Sequence, residues 1–149
     1  MRHAAAAPAG IDVPDYERPL TAAGRAAAAR AAHQLAAERA AVDRVLYSPA
    51  RRTRETAAIL AGELLLAPGA LREVAALYLA TPAAMRAAIG AQGGAVPSLM
   101  IIGHNPGLSD FGAELDARFA GSSLATAGVW RFRLDPQAWR ALHSTVQKQ

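Results

Sequence analysis

Three short segments of the chain carry side chains whose types and positions could support chemistry: Arg2 with His3, "SPARRTRET" from Ser48, and "GHNPGL" from Gly103. A lone histidine at the end of a strand is more often a structural hydrogen-bonding group than a catalytic one. In the third segment, however, Asn105 and Pro106 begin the next predicted helix, and the free N–H groups at a helix N-terminus favour an anion. We therefore predict that His104 lies beside an anion-binding position.

The arginines of "SPARRTRET" cannot all face the same way, because neighbouring residues on a helix are about 100° apart. Arg52 shares one face of the first turn with Thr56, four residues further on. We predict that this face points inward, towards the end of the preceding strand. Arg51 and Arg54 are then expected on a solvated basic face, with Glu55 as their partner.

Five segments combine helix-forming residues with start or stop signals, and we predict a helix for each. Thr21 is a good N-cap for the first helix, and Pro49 occupies the first turn of the second. Thr81 caps the third helix and Gly90 ends it. The segments are "LTAAGRAAAARAAHQLAAERA", "PARRTRETAAILAGELL" to about Leu60, "TPAAMRAAIG", "NPGLSDFGAELDARF", and Pro136 to His143.

The predicted strands are "VDRVLYS", the weaker "LREVAALY", the fully apolar "SLMIIGH" and the alternating "LATAGVWRFRLD". Strands that alternate with helices predict an α/β fold, with a mostly parallel central sheet flanked by helices on both faces. We predict a single domain over residues 1–149. Any ligand is expected at the carboxyl ends of the strands, where Ser48 and Gly103 lie.

The composition excludes several classes of protein. The chain has no cysteine, which excludes thiolate nucleophiles and sulfur-ligated metal sites. No apolar run approaches the roughly 20 residues that span a bilayer, and no secretory signal is present, so we expect a cytoplasmic protein with no membrane partner. The net charge is +4, but the arginines are scattered and aromatic residues make up only 5%, so we expect no nucleic-acid partner.

Four motifs occur in an order and spacing that resemble one known family. They are Arg2-His3-Ala4, "RPLTAAG" from Arg18 to Gly24, the set Ser48, Arg52 and Thr56, and His104 within "GHNPGL". Together they resemble the signature of the histidine phosphatases, the phosphoglycerate-mutase-like superfamily, and within it the small SixA-like phosphohistidine phosphatases. The resemblance covers nearly the whole chain, and it implies the phosphoglycerate-mutase-like fold.

The resemblance also implies roles for these residues. His3 would be the nucleophile that takes up a phosphoryl group, which water then removes. Arg2 and Arg52 would clamp the phosphoryl oxygens, and His104 would donate to the same group from its other side. The surrounding arginines would keep the nucleophile neutral. No metal or cofactor is implied.

Two further residues are candidates for substrate binding. Asn105 directly follows His104. Arg18 matches an arginine that lies near the pocket in SixA-like members. An ion pair of Arg18 with Asp15 or Glu17 is an equally good interpretation.

The family's phosphate-ester members also carry a carboxylate that protonates the leaving oxygen. Glu73 is a weak candidate for this acid, because its segment lacks the acid-bearing motif of the mutases. The resemblance therefore favours phosphohistidine on a protein, or a related small phosphorylated molecule, as the substrate. A general phosphate-ester phosphatase is the alternative.

The family has an apolar strand before its Arg-His pair, whereas only Met1 precedes Arg2 in this chain. A truncated first strand would leave the neighbouring strands without hydrogen-bond partners. We expect the natural protein to begin several residues upstream. A catalytically weak phosphate-binding or interaction module is the further alternative.

Overall fold

The computed structural model describes residues 1–10, 13–92 and 96–144, with side chains up to residue 142. Within these ranges the sheet consists of three parallel strands in the order β2-β1-β3. They are β1 (Arg44–Tyr47), β2 (Leu71–Glu73) and β3 (Leu99–Ile102). Leu46 of the central strand lies opposite Arg72 on one side and Ile101 on the other.

Helices alternate with the strands along the described chain. They are α1 (Ala22–Ala37), α2 (Arg51–Glu63), α3 (Pro82–Gln92), α4 (Gly107–Leu115) and α5 (Pro136–Ser144). Short 3-10 helices lie between them at Asp15–Glu17, Ala75–Leu77 and Ala117–Phe119. The predicted cap of α1 is confirmed, because the Thr21 hydroxyl accepts the Gly24 N–H at 2.9 Å. No helix of the described residues has both the length and the apolar character needed to cross a membrane.

Helices cover both faces of the sheet because successive strand side chains point to opposite sides. Val45 belongs to the same buried cluster as Leu35 of α1 and Leu60 of α2. Its neighbour Leu46 belongs to a second cluster with residues of α3, α4 and α5. The observed architecture confirms the predicted α/β fold with a parallel central sheet.

The first residues of the chain continue the sheet beyond β3. Arg2 forms a parallel bridge with Gly103, and the His3 N–H donates to the Gly103 carbonyl at 3.1 Å. On the other side, the Arg2 N–H donates to the Gly128 carbonyl at 3.1 Å. His3 is therefore held by backbone bonds next to the end of β3.

Met1 is buried at the end of this bridge, and its amine donates to the Ile101 carbonyl at 2.8 Å. Burial lowers the pKa of the amine to about 5. A largely apolar cavity of about 670 Å³ lies beside Met1, and its lining includes Leu99, Trp130 and Trp139. Met1 thus lies at the edge of a largely apolar space.

The predicted strand in "LATAGVWRFRLD" is wrong. Residues 124–135 form no strand; Ala127 and Gly128 only make backbone bonds with His3 and Arg2. Residues 129–134 line the cavity. The alternating pattern cannot form a ladder there, because a strand needs a paired neighbour along its length.

Three predicted helix boundaries are also wrong. Pro49 precedes α2, whose N-cap is Ala50, because the Ser48 N–H still donates to the Ile102 carbonyl at 3.1 Å. The helix also runs beyond Leu60 to Glu63. Gly90 does not end α3, since it keeps a helical conformation and the helix continues to Gln92.

Candidate active site

Two histidines from distant parts of the sequence meet at the carboxyl edge of the sheet. His3 follows the bridge beside β3, and His104 lies two residues beyond the last residue of β3. Their ring centroids are 5.2 Å apart. The parallel arrangement of the strands brings them together, because the carboxyl ends of parallel strands share one edge.

The ring of His3 is fixed in one tautomer by its own loop. Nδ1 lies 2.8 Å from the Ala4 carbonyl oxygen, which can only accept, so Nδ1 carries the hydrogen. The Ala4 N–H in turn donates to Thr56 Oγ1 at 3.1 Å, which ties this loop to α2. Nε2 of His3 is left with a lone pair.

The environment of His3 favours the neutral ring. Its pKa is lowered to about 4, mainly because burial removes water from the ring. The bond to Ala4 opposes this shift, whereas the charges of Arg52, Arg2 and Arg18 add to it. The arginines thus act in the predicted direction, but burial is the larger cause.

His104 is buried and its two ring nitrogens have different partners. An Arg52 terminal nitrogen lies 3.2 Å from Nδ1, and Ser48 Oγ lies 2.8 Å from Nε2. Arginine can only donate, so Nδ1 accepts and Nε2 carries the hydrogen to Ser48. Burial, followed by the charge of Arg52, lowers the pKa of His104 to about 3.

Arg52 lies in the first turn of α2 with its side chain buried, as its shared face with Thr56 predicts. One terminal nitrogen donates to the Asp15 carbonyl at 2.6 Å, and the other to Asp15 Oδ2 at 2.9 Å. Arg51 lies outside, half-exposed and paired with Glu55 at 2.9 Å. The helix therefore aims one of its first arginines at the two histidines.

Arg2 is bound on one side only. Its Nη1 donates to the Leu124 carbonyl at 3.1 Å, whereas its buried Nε has no acceptor among the described residues. The Asn105 amide donates to Ser123 Oγ at 3.1 Å and to the same Leu124 carbonyl at 3.0 Å. Asn105 thus fixes the loop of Ser123 and Leu124, whose Leu124 carbonyl binds Arg2.

Arg18 approaches the same group of residues from the loop before α1. Its Nε donates to the Ala7 carbonyl at 2.6 Å, and its Nη1 pairs with Asp15 Oδ1 at 2.8 Å. The ion pair with Asp15 is therefore present. Arg18 is also near enough for its charge to lower the pKa of His3.

The chain is similar to known proteins in both sequence and structure. The sequence profile of the histidine phosphatase superfamily (branch 1) matches residues 1–76. The chain belongs to this superfamily. The match includes the segments that hold His3, Arg18 and Arg52.

Relatives of this histidine phosphatase include an uncharacterized protein of Mycobacterium tuberculosis H37Rv, 38% identical over 85% of this chain and 76% of that protein. A candidate phosphohistidine phosphatase SixA from Agrobacterium tumefaciens has a similar structure, with a TM-score of 0.75, 26% identity, and coverage of 85% of this chain and 84% of that one. The protein histidine phosphatase SixA complexed with tungstate is also similar, with a TM-score of 0.67, 29% identity, and coverage of 77% and 73%.

Two residues that sequence reasoning did not place in the site of this histidine phosphatase lie beside it. Asp15, expected only as an ion-pair partner of Arg18, also binds Arg52. Tyr78, in the weakly predicted "LREVAALY" segment, donates its hydroxyl to Asp15 Oδ2 at 2.9 Å. The position of Asp15 three residues before Arg18 is a local signal, whereas the approach of Tyr78 has no local signal.

Glu73 ends β2 with an exposed side chain. Within the described residues, no hydrogen bond or ion pair joins it to His3 or His104. Its β1 neighbour is Tyr47, whose pKa is raised mainly by burial and then by the charge of Glu73. The geometry gives Glu73 no contact with the two histidines.

Proposed function

We propose that this histidine phosphatase hydrolyses phosphohistidine on a protein, or a related small phosphoramidate, through a phosphoryl group carried by His3. The observation that carries the proposal is the fixed tautomer of His3, because its bond to Ala4 leaves the Nε2 lone pair for phosphorus. The His104 ring lies 5.2 Å from the His3 ring between centroids, and the charges of Arg52 and Arg2 act on His3. We expect these groups to bind the tetrahedral dianion together.

In the first step, Nε2 of His3 forms a bond to phosphorus while the bond from phosphorus to the substrate ring breaks. The electron pair of the broken bond returns to the nitrogen of the leaving ring. A substrate ring that carries a proton on its other nitrogen then departs as neutral imidazole. No acid has to protonate the leaving atom, in contrast to an alkoxide.

In the second step, water attacks the phosphoryl group on His3. The bond from phosphorus to Nε2 breaks, and its electron pair returns to the ring. The hydrogens of the attacking water leave on the released phosphate. His3 is thereby restored as a neutral ring with its hydrogen still on Nδ1, bound to Ala4.

Arginine suits both steps because negative charge spreads over the equatorial oxygens in phosphoryl transfer. Among the residues that the structure describes, the buried Nε–H of Arg2 has no acceptor, and an anion's oxygen would satisfy it. A dianion next to His104 would favour the protonated ring. Nδ1–H could then donate to the phosphoryl group while Nε2 keeps its bond to Ser48, and the Arg52 nitrogen that now donates to Nδ1 would turn to a phosphoryl oxygen. Asn105 supports the site by binding the Leu124 carbonyl, which also binds Arg2. Arg18 supports it by binding Asp15.

The similar SixA structure is that of a complex with tungstate, a tetrahedral oxyanion like phosphate. This likeness supports an oxyanion site here, and we propose that its chemistry needs no metal ion. Activity that survives treatment with EDTA is the expected result. A dependence on added Mg²⁺ or Zn²⁺ would contradict this part of the proposal.

The test is hydrolysis of a phosphohistidine peptide by wild type and His3→Ala, followed by release of inorganic phosphate. Loss of the nucleophile is expected to lower kcat by at least about a thousandfold. His33→Ala is the matched control, because His33 is exposed on α1 and paired with Glu63 at 2.7 Å. Full activity in His3→Ala would refute the mechanism, and phosphate binding without turnover in wild type would leave only a binding module.

A further inference from the structure

The carboxylate of Asp15 is held at the outer side of the candidate site by three donors. Oδ1 accepts from Arg18 at 2.8 Å, and Oδ2 accepts from Arg52 and from the Tyr78 hydroxyl, each at 2.9 Å. The same Arg52 nitrogen that donates to Oδ2 lies 3.2 Å from His104 Nδ1. Asp15 is thus separated from the second histidine by one guanidinium nitrogen.

Four rings form a row that leads outward from the nucleophile. The centroids of His3 and His104 are 5.2 Å apart, and Tyr78 meets His104 edge-on at 5.5 Å. Tyr16 continues the row, edge-on to Tyr78 at 5.2 Å. Both tyrosines are partly exposed. The approach to His3 is therefore bordered by aromatic rings and one carboxylate.

Asp15 keeps the capacity for a further hydrogen bond. A carboxylate offers about four acceptor positions, and donors among the described residues use three of them. Its side chain is 44% exposed. The bond from Arg18, helped by those from Tyr78 and Arg52, lowers the pKa of Asp15 to about 2. The group is therefore an acceptor at neutral pH and cannot serve as a proton donor.

We propose that Asp15, positioned by Tyr78, binds the leaving group by accepting a hydrogen bond from the N–H of the protonated substrate imidazole. This inference rests on the proposed function. The carboxylate would favour the protonated ring, which is the form that leaves as neutral imidazole when the bond from phosphorus to nitrogen breaks. The proton stays on the ring throughout, so no further reactant is needed.

This arrangement predicts selectivity for nitrogen-linked over oxygen-linked phosphate. p-Nitrophenyl phosphate offers no N–H to Asp15, and its anionic oxygen gains nothing from a nearby carboxylate. The contact of Asp15 with the leaving group is therefore expected to favour phosphohistidine and to be neutral or unfavourable for p-nitrophenyl phosphate. A residue that merely held Arg52 in place would affect both substrates equally, because Arg52 contacts the phosphoryl group common to both.

The experiment compares kcat/KM of wild type and Asp15→Asn on a phosphohistidine peptide and on p-nitrophenyl phosphate. A charge-assisted hydrogen bond lost in the variant is expected to lower the phosphohistidine value by about tenfold or more. Because Asp15 also binds Arg52, any fall in the p-nitrophenyl phosphate value reports the shared phosphoryl site, and the ratio of the phosphohistidine value to the p-nitrophenyl phosphate value is expected to drop by about tenfold. Tyr78→Phe should give a smaller change in the same direction.

Glu17→Gln is the matched control, because Glu17 lies on the same 3-10 helix with its carboxylate 3.9 Å from Arg54. It should change neither value. An equal loss on both substrates in Asp15→Asn, or no loss on phosphohistidine, would overturn the inference. A failure of the proposed function would be distinguishable, because phosphohistidine hydrolysis by wild type and by His3→Ala tests it without any Asp15 variant.

Discussion

A terminal nitrogen of Arg52 donates to Nδ1 of His104 across 3.2 Å, so that a buried cation faces a ring nitrogen that carries a lone pair. The same guanidinium binds both the carbonyl and the carboxylate of Asp15. The planar guanidinium of Arg52 therefore holds both the loop that contains Asp15 and the ring of His104. This dependence on geometry leads to the first prediction.

Arg52→Lys is expected to lower kcat/KM for phosphohistidine by about tenfold to a hundredfold, although it keeps the charge. An ammonium group is compact and cannot reproduce the fork that serves Asp15, His104 and a phosphoryl oxygen at once. Steady-state kinetics measure the change. Arg51→Lys, on the exposed side of the same turn, serves as the control, and equal activity of the two variants would contradict the prediction.

Stability is expected to fall as pH decreases from about 8 to about 4. The Met1 amine has its pKa lowered to about 5, and the pKa values of His3 and His104 are lowered to about 4 and about 3. Each group binds its proton more weakly in the folded than in the unfolded chain, so protonation between these values and the ordinary ones favours unfolding. Urea unfolding at a series of pH values measures the slope.

A variant with extra apolar residues added before Met1 distinguishes the contribution of the amine to this pH dependence from that of the histidines. Its amine is replaced by an amide without charge, next to the cavity that Met1 lines. The slope between about pH 7.5 and 8.5, where the ordinary amine titrates and ordinary histidine is almost fully neutral, should largely disappear. An unchanged slope in this range would show that Met1 is not its cause.

Gly24→Ala is expected to lower the free energy of unfolding by about 2 kcal/mol and to reduce activity. A Cβ at Gly24 would come within 2.0 Å of the Ala5 carbonyl oxygen, a backbone atom in the loop that follows His3. Either α1 or that loop must move. Denaturant unfolding and phosphohistidine turnover measure the two effects.

Gly62 provides the matched control, because it lies in α2 and a Cβ there would meet nothing within 4 Å. Gly62→Ala should raise stability by about 0.5 to 1 kcal/mol, since alanine loses less backbone entropy in a helix. Equal effects of the two substitutions would show that the close contact of Gly24 with Ala5 is unimportant.

The sequence was sufficient for the fold class and for most elements. Local signals that act through neighbouring residues, such as the Thr21 cap and the apolar β3 run, predicted elements that the structure contains. The strand over residues 124–135 failed because strand formation depends on a partner that the alternating pattern does not specify. The predicted end of α3 at Gly90 was wrong because glycine can equally adopt a helical conformation.

For the site, residue types and spacing predicted which side chains could take part: Arg2, His3, Arg52 and His104. Their mutual distances, the tautomers of the two rings and the meeting of Asp15 with Arg52 and Tyr78 were decided by the tertiary structure alone. The reason is physical. A helical face or a cap is set by residues a few positions apart, whereas a hydrogen bond between residues 52 or 63 positions apart exists only once packing has placed both partners.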